Sequence, residues 1–358
     1  MRATEKLHEQ GQSLWLDNIT REMLDSGQLK TYIDDYAVTG LTSNPSIFDK
    51  AIGSGAYDAD IRAKAKAGLD GEELFFELAI EDLRRAADLF APIHERTHGV
   101  DGWVSLEVSP ELAYDTASTV KAAKELHERA ERDNLFIKIP GTPEGLPAIE
   151  ESIAAGVPVN VTLLFSEQHY LAAAAAYQRG IERRVSDGLD PAVESVASLF
   201  MSRWDVAVND QVPDELRDRL AVAVGQSTYR AYRGFMDSEA SQRLANSGAQ
   251  TQRLLWASTS TKDPKAPDTL YVQCLGAPFT VNTMPEATLR AFYDHGDVGP
   301  PLSADGGEAD ATLAAFAKAD VDVDAVGAKL QTDGAASFVD AWHDLMAHIE
   351  RQSKALKG

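Results

Sequence analysis

A single lysine, Lys138, interrupts a run of bulky apolar residues, Phe136-Ile137-Lys138-Ile139-Pro140. The alternation of a β-strand places Lys138 on the same face as Phe136 and opposite Ile137. On an edge strand the ammonium would extend into water, which is the ordinary explanation for a strand lysine. On a central strand, burial would favour the neutral amine, which attacks a carbonyl carbon and forms a Schiff base. Lys138 is therefore a candidate catalytic nucleophile.

Two acidic residues lie near the ends of other short apolar runs: Asp17 after 14–16 and Glu107 after 104–106. Schiff-base formation requires an acid and a base close to the nitrogen. Cleavage of a carbon–carbon bond requires a base for the hydroxyl of the departing aldehyde. Glu107 suits the first task and Asp17 the second. Either carboxylate alone would be explained more simply by a salt bridge or a cap, so this interpretation depends on their coincidence with Lys138.

Four hydroxyl and amide side chains also lie at or near strand ends: Thr42, Asn44, Asn160 and Thr162. Asn160 and Thr162 share one face of their strand because they are two residues apart. Such groups can hydrogen-bond the hydroxyls of a polar substrate, although each one alone would be an ordinary cap or ladder-end residue. We predict that they line one site with Lys138.

These residues belong to short β-branched or apolar segments, each followed by a segment with helical periodicity. The eight predicted strands are 14–19, 37–43, 103–108, 135–139, 158–165, 194–200, 254–258 and 279–282. Helical patterns between them include 72–89, 111–130, 167–184 and 215–236. Helix starts that combine a capping residue with proline are Asn44-Pro45, Ser109-Pro110 and Thr142-Pro143, with Met284-Pro285 a weaker example.

Eight strands that alternate with helices predict a (β/α)8 barrel of the TIM type with additional helices. An open doubly wound sheet is the alternative, but Gly53-Ser-Gly55 lacks the third glycine of a dinucleotide fingerprint and follows no strand. We predict one domain over 1–358, with helical insertions and a C-terminal helical extension at about 285–358. The carboxyl ends of barrel strands form the active site of such proteins.

The predicted extension carries an apolar stripe at helical spacing. Its members are Phe338, Trp342, Leu345, Met346 and Ile349. Packing against the barrel is the expected role of this stripe. A lid over the barrel mouth is the alternative.

The composition excludes several classes of protein. The 358 residues contain 34 Lys and Arg against 56 Asp and Glu, for a net charge of −22. Such a chain repels polyanions, so we expect no nucleic-acid and no membrane partner. Cys274 is the only cysteine, which rules out an intrachain disulfide. The first residues lack the apolar run of a signal peptide, and we expect a soluble, cytoplasmic protein.

No metal site is predicted. His94 and His98 are four residues apart but lack the glutamate pattern of zinc proteases. The segment 320–324 begins like a calcium loop, yet Ala325 stands at the position of the turn glycine and Gln331 at that of the bidentate glutamate.

Three motifs, in this order, resemble the transaldolase family: Leu41-Thr-Ser-Asn-Pro-Ser-Ile-Phe48, Phe136-Ile-Lys138-Ile139 and Val159-Asn-Val-Thr-Leu-Leu-Phe-Ser166. The correspondence continues to about residue 290. The resemblance implies an aldolase-type barrel without metal or organic cofactor and with sugar phosphates as substrates. It implies that Lys138 forms the Schiff base, that Asp17 handles the C4 hydroxyl proton, and that Glu107 acts with a water held by Thr162.

The resemblance also implies roles in substrate binding. Asn44 and Asn160 are similar to the residues that hold the dihydroxyacetone unit. Ser198, Phe200 and Arg203 match site residues of the family, with Arg203 on the substrate phosphate. The family's better-known branch has a second arginine after strand seven, where this chain reads Ala257-Ser258-Thr259-Ser260-Thr261-Lys262. Ser258 carries over, and either Lys262 or the hydroxyls and backbone N–H groups take the place of the arginine.

Three functions follow as hypotheses. The first is a transaldolase of the non-oxidative pentose phosphate pathway, which moves a dihydroxyacetone unit from a ketose phosphate to an aldose phosphate. The second is a fructose-6-phosphate aldolase that releases free dihydroxyacetone, and the third is a non-catalytic binding barrel. Phosphate substrates require an uneven charge distribution in so acidic a chain, with Arg203 and Lys262 at a positive mouth. The oligomeric state is left open between monomer and homodimer.

Overall fold

Eight parallel strands form a closed barrel in sequence order in the computed structural model, which describes residues 1–357. The strands are β1 Gln12–Asp17, β2 Val38–Thr42, β3 Val104–Glu107, β4 Leu135–Pro140, β5 Val159–Leu164, β6 Ser195–Phe200, β7 Arg253–Ala257 and β8 Thr280–Met284. The predicted (β/α)8 barrel is therefore confirmed, and the alternative of an open sheet is wrong. Because helices surround the sheet, the strands are buried on both faces and read as apolar runs.

Sixteen α-helices lie in residues 1–357. They are α1 Ala3–Glu9, α2 Arg21–Asp25, α3 Gln28–Asp35, α4 Pro45–Ile52, α5 Asp58–Lys66, α6 Gly71–Arg96, α7 Thr116–Ala130, α8 Gly145–Ala154, α9 Glu167–Ser186, α10 Ser202–Val208, α11 Leu220–Met236, α12 Glu239–Asn246, α13 Leu270–Cys274, α14 Glu286–His295, α15 Ala309–Lys318 and α16 Val323–Lys357. Short 3₁₀ turns occur at Pro110–Leu112, Asn209–Gln211 and Asp214–Leu216. None of the helices in residues 1–357 is long and apolar enough to cross a membrane.

The capping residues behave differently at the predicted helix starts. Asn44 caps α4, with its side-chain oxygen accepting a hydrogen bond from the Ile47 N–H at 3.1 Å. Ser109-Pro110 starts only a 3₁₀ turn, and α7 begins later, capped by Asp115. The Thr142 hydroxyl accepts from the Gly145 N–H at 3.0 Å, so that helix also begins beyond the proline. A capping residue followed by proline thus marked the place where the chain turns toward a helix, but not always the first residue of the α-helix itself.

A layer of aromatic rings fills the barrel below Lys138. Phe136, one inward position earlier on β4, stacks on Trp103 with 4.0 Å between ring centroids, and Trp15 lies 6.2 Å from Phe136 on its other side. All three side chains are buried. Lys138 therefore points into the barrel above a closed apolar floor, as the predicted alternation of β4 requires.

Helix α16 runs along the outside and across the carboxyl-terminal side of the barrel. Trp342 packs edge-on against Phe75 of α6 at 5.2 Å, and Leu345 and Ile349 are buried. The expected packing of the apolar stripe against the barrel is confirmed for these residues. One domain over 1–358 stays a prediction, and Gly358 lies outside the described residues.

Candidate active site

A cavity of about 240 Å³ opens at the carboxyl ends of the strands. All of the predicted site residues except Glu107 line it, namely Asp17, Thr42, Asn44, Lys138, Asn160, Thr162, Ser198, Phe200, Arg203, Ser258 and Lys262. These residues come from six different strands and the segments that follow them. The barrel brings them together because each strand delivers its last inward side chains to the same end.

Lys138 lies on the floor of this cavity with 6 % of its surface exposed. Its Nζ donates to the Ser43 carbonyl at 3.0 Å and to Glu107 Oε2 at 3.2 Å. Glu107 and Asn160 are its direct partners on the two neighbouring strands, so the register alone fixes this row of three side chains. The single lysine of the apolar run is thus held between a carboxylate and an amide.

Glu107 lies beneath the cavity, buried beside Lys138. Burial raises the pKa of the Glu107 carboxyl above its ordinary value, while the nearby Lys138 charge acts in the opposite direction. Oε2 pairs with the lysine, and Oε1 is buried with no hydrogen-bond partner among the described residues. A carboxyl in this state can both donate and accept a proton at the lysine nitrogen.

Asp17 closes β1 on the other side of the cavity. Its Oδ1 accepts a hydrogen bond of 2.8 Å from the Thr42 hydroxyl, which also lies 2.6 Å from the Thr283 hydroxyl. Burial raises the pKa of the Asp17 carboxyl, and the Lys138 charge and the Thr42 hydrogen bond partly oppose that rise. Asp17 therefore places a second carboxyl near Lys138, positioned by its neighbouring strand, and a carboxyl with a raised pKa can act as a base.

The amide of Asn160 is oriented by two hydroxyls. Its Nδ2 donates to Ser105 Oγ at 3.1 Å, and its Oδ1 accepts from Ser198 Oγ at 2.7 Å. Thr162, two residues further along the same strand, is fully buried, and its hydroxyl has no partner among the described residues. Asn44 uses its side-chain oxygen for the cap of α4, which leaves its amide nitrogen free to donate into the cavity.

Arg203 supplies a cation on the β6 side. It follows β6 in α10, and its guanidinium carbon lies 5.3 Å from the Phe200 ring centroid. Burial lowers the pKa of Arg203, and no carboxylate of residues 1–357 forms an ion pair with it. An arginine that is partly buried without an anionic partner is a site for an anion.

The segment after β7 adds hydroxyls and a second cation. Ser258 has a left-handed backbone with φ of 56°, and its hydroxyl lies 2.9 Å from that of Ser202. Lys262 is exposed, and its Nζ donates to Ser260 Oγ at 3.3 Å. This segment therefore presents a flexible point charge beside a row of hydroxyls, where an arginine would present a fixed fork.

Ser260, one of the hydroxyls suggested in place of the arginine, also lines the cavity. Sequence reasoning missed several other lining residues: Ser46, Ala257, Thr283, Pro285, Ser337 and Phe338. Thr283 carries the same strand-end signal as the others, but the predicted strand 279–282 ended two residues too early, because β8 ends at Met284. Ser337 and Phe338 belong to α16, and the spacing of an amphipathic helix does not state which surface it covers.

The charge of the cavity wall is opposite to that of the chain. Three cations, Lys138, Arg203 and Lys262, line the cavity against one carboxylate, Asp17. Although Lys138 on the floor is paired with Glu107, Arg203 and Lys262 add two cations to the wall in a chain with a net charge of −22. This arrangement attracts an anionic substrate locally.

A (β/α)8 barrel with a buried lysine paired to one carboxylate, and with an unpaired arginine in the same cavity, is typical of the class of Schiff-base-forming aldolase-type barrels. The family model described as transaldolase/fructose-6-phosphate aldolase matches residues 14–349. The chain belongs to the transaldolase/fructose-6-phosphate aldolase family.

Curated relatives match along nearly the whole chain. The chain is 44 % identical to a transaldolase of an Arthrobacter species over 357 residues, which covers 97 % of the chain and 96 % of that protein. It is 44 % identical to a transaldolase of Thiobacillus denitrificans over 358 residues, covering 98 % and 100 %. It is 40 % identical to transaldolase 2 of a Nostoc species over 371 residues, covering 98 % and 97 %.

Proposed function

We propose that the protein is a transaldolase, an enzyme that transfers a dihydroxyacetone unit from a ketose phosphate to an aldose phosphate through a Schiff base on Lys138. The observation that carries this proposal is the buried row of Glu107, Lys138 and Asn160, with the base Asp17 in the same cavity. The donors are sedoheptulose 7-phosphate or fructose 6-phosphate, and the acceptors are glyceraldehyde 3-phosphate or erythrose 4-phosphate. These exchanges belong to the non-oxidative pentose phosphate pathway.

In the first half-reaction the neutral amine of Lys138 attacks C2 of the donor. Glu107, 3.2 Å from Nζ, moves protons during carbinolamine formation and during the loss of water that gives the Schiff base. Its free Oε1 and the free hydroxyl of Thr162 have hydrogen-bonding capacity for the water that carries these protons. Asn160 and the Asn44 amide nitrogen bind the hydroxyls of the three-carbon unit.

Carbon–carbon cleavage is assigned to Asp17. Asp17 removes the proton of the C4 hydroxyl, the C3–C4 bond breaks, and its electron pair moves onto the Schiff base to give an enamine. The shortened aldose phosphate leaves. An acceptor aldehyde then binds, the enamine attacks its carbonyl carbon, and Asp17 returns the proton to the new hydroxyl. Hydrolysis of the new Schiff base releases the lengthened ketose phosphate and regenerates Lys138.

Trapping tests this chemistry directly. The protein is incubated with fructose 6-phosphate and borohydride, and the reduced adduct is mapped by mass spectrometry, with Lys262→Ala as a lysine control that leaves Lys138 intact. We expect the adduct on Lys138 in both proteins. An adduct on another lysine, or none, would overturn the assignment. Added erythrose 4-phosphate should yield sedoheptulose 7-phosphate, whereas accumulation of free dihydroxyacetone would indicate the aldolase activity instead.

Arg203 is the proposed main ligand of the substrate phosphate. Removing a charge-assisted contact costs about 1.5–3 kcal/mol, so Arg203→Ala should raise KM for phosphorylated substrates roughly 10- to 100-fold. Lys262 is exposed, and Lys262→Ala should raise KM only about 2- to 5-fold. Steady-state kinetics with fructose 6-phosphate compare the two variants. Equal effects would mean that both cations share the phosphate.

A cytoplasmic location and a monomer or homodimer are also part of this proposal. The only cysteine of the sequence, Cys274, forms no disulfide, as is usual for proteins of a reducing compartment. Fractionation of cells and light scattering of the purified protein test the two points.

A further inference from the structure

Side chains of helix α16 form hydrogen bonds to the carboxyl end of the barrel. Gln331 Nε2 donates to the Gly141 carbonyl at 3.0 Å and to the Leu163 carbonyl at 2.9 Å. Leu163 lies at an irregularity of β5 and has a left-handed φ of 60°, which is strained for a branched residue. Further along, His348 Nδ1 lies 3.0 Å from Asp49 of α4. The middle of α16 is therefore held over the cavity from both sides.

One face of this middle segment is turned toward the phosphate side of the cavity. Gly334, Ser337 and Phe338 are three and four residues apart and so lie on the same helix face. A side chain at Gly334 would begin 3.2 Å from Nη1 of Arg203, which means that the helix backbone closely approaches the guanidinium. Ser337 and Phe338 line the cavity together with Arg203.

Phe338 and Phe200 both hold the guanidinium of Arg203. The guanidinium carbon is 5.9 Å from the Phe338 ring centroid and 5.3 Å from that of Phe200. The two rings are 6.3 Å apart and inclined at 63°. Such contacts restrict where the arginine can point while leaving its N–H donors unused, since no described residue accepts a hydrogen bond from them.

The hydroxyl of Ser337 is the other polar group that α16 brings to this part of the wall. Ser337 is exposed at the cavity rim, and no described residue hydrogen-bonds its hydroxyl. Most helical serines either point to solvent or bond a carbonyl of the preceding turn. Ser337 lines the same cavity as Arg203 and as Ser258, Ser260 and Lys262 of the segment after β7.

We propose that α16 supplies two determinants of specificity for a sugar phosphate monoester: Ser337 as a direct hydrogen-bond donor to the phosphate, and Phe338 as a positioning residue for Arg203. This inference rests on the proposed function. It accounts for the lack of an arginine after β7, because hydroxyls of α16 and of the segment after β7 line the same cavity as Arg203 and can share the phosphate with its guanidinium fork. The C-terminal helix is then part of the substrate site and not only a packing element.

The test compares a phosphorylated with an unphosphorylated donor. Rates of borohydride trapping on Lys138 are measured with fructose 6-phosphate and with fructose, for wild type, Ser337→Ala and the control Thr332→Ala. Thr332 is also exposed on α16, but its hydroxyl bonds the Ala328 carbonyl at 3.2 Å. Ser337→Ala should lower the trapping rate with fructose 6-phosphate roughly 10- to 30-fold, which is the lower part of the range for a hydrogen bond to a charged group.

The same variant should leave the rate with fructose within about twofold of wild type, and the Ki of inorganic phosphate should rise by a factor similar to the loss with fructose 6-phosphate. Thr332→Ala should change neither rate. Equal losses with both donors would overturn the role of Ser337, because a disturbed fold lowers both. An unchanged rate with fructose 6-phosphate would overturn it as well.

Phe338 is tested by Phe338→Leu and Phe338→Tyr. Loss of the ring should raise KM for fructose 6-phosphate about 2- to 5-fold with kcat unchanged, and tyrosine should restore the wild-type value because it keeps the ring. A leucine variant that matches wild type, or a tyrosine variant that matches leucine, would overturn the positioning role.

If wild type gives no adduct on Lys138, the proposed function fails. If wild type is trapped and Ser337→Ala is trapped equally fast, only the present inference fails.

Discussion

Replacing Lys138 by methionine should destabilise the fold, and more strongly at pH 8 than at pH 5. The lysine charge lies 3.2 Å from Glu107 and lowers the pKa of both Glu107 and Asp17 against the effect of their burial. Without that charge, no cation remains between the Glu107 carboxyl beneath the cavity and the Asp17 carboxyl in its wall. Removal of one partner of a buried ion pair typically costs about 3–5 kcal/mol.

The size of the shift in Tm follows from the length of the chain. An unfolding entropy of about 2.1 cal/mol/K per residue gives roughly 0.75 kcal/mol/K for 358 residues. A loss of about 3–5 kcal/mol therefore lowers Tm by about 4–7 °C at pH 8.

The pKa values of both carboxyls, Glu107 and Asp17, are raised in the folded state. The stability they contribute is thus fully present below their unfolded pKa values and is lost as the pH rises through the folded ones.

A double variant separates this electrostatic cost from lost packing. In Lys138→Met with Glu107→Gln, one of the two carboxyls is replaced by an amide of similar shape, and about 2 kcal/mol should return at pH 8. Urea unfolding followed by circular dichroism at pH 5 and pH 8 measures wild type, both single variants and the double variant. A methionine variant whose deficit is the same at both pH values would refute the claim that the Lys138 charge holds the two carboxylates.

Two further predictions concern other parts of the molecule. Thr42→Val removes the 2.8 Å hydrogen bond that lowers the pKa of Asp17, so the acid limb of the plot of kcat against pH should move to higher pH. An acid limb that stays in place would show that Asp17 is not the base. Asp320, exposed after α15, has a φ of 61°, and Asp320→Gly should therefore stabilise the protein by about 0.5–1 kcal/mol, measured by urea unfolding. Ala317→Gly, within the same helix, should instead destabilise it by about 1 kcal/mol, and equal effects of the two changes would contradict the argument.

Much of the site was predictable because, in a barrel, the place of a residue along its strand determines where its side chain lies. Lys138 interrupts an apolar strand, and the alternation of β4 puts it on the inward face with Phe136, whose ring lies near those of Trp103 and Trp15. Glu107 and Asn160 then follow from the parallel register with the strands on either side. Each of these inferences needs only two rules: side chains alternate between the two faces of a strand, and the carboxyl ends of all barrel strands lie at the same end of the barrel.

The contribution of α16 was not predictable in the same way. Phe338 and Trp342 belong to one apolar stripe, yet Trp342 packs on Phe75 while Phe338 reaches Arg203. Hydrophobic periodicity shows which face of a helix is apolar, but it does not show which surface that face packs against. The surface depends on the path of the loops that precede the helix. The segment after β7 is similar: its hydroxyls are evident in the sequence, but the left-handed backbone of Ser258 is not.

Closure of the barrel has a consequence for the order in which the site forms during synthesis. β1 pairs with β8, and Gln12 bonds the Thr280 hydroxyl across a separation of 268 residues. At about 5–20 residues per second, β1 leaves the ribosome roughly 13–54 seconds before its second neighbour exists. The Thr42 hydroxyl contacts Asp17 on one side and Thr283 on the other, so this corner is incomplete until β8 joins. A nascent chain that already contains Lys138 therefore lacks the completed wall of this cavity until β8 has been synthesised.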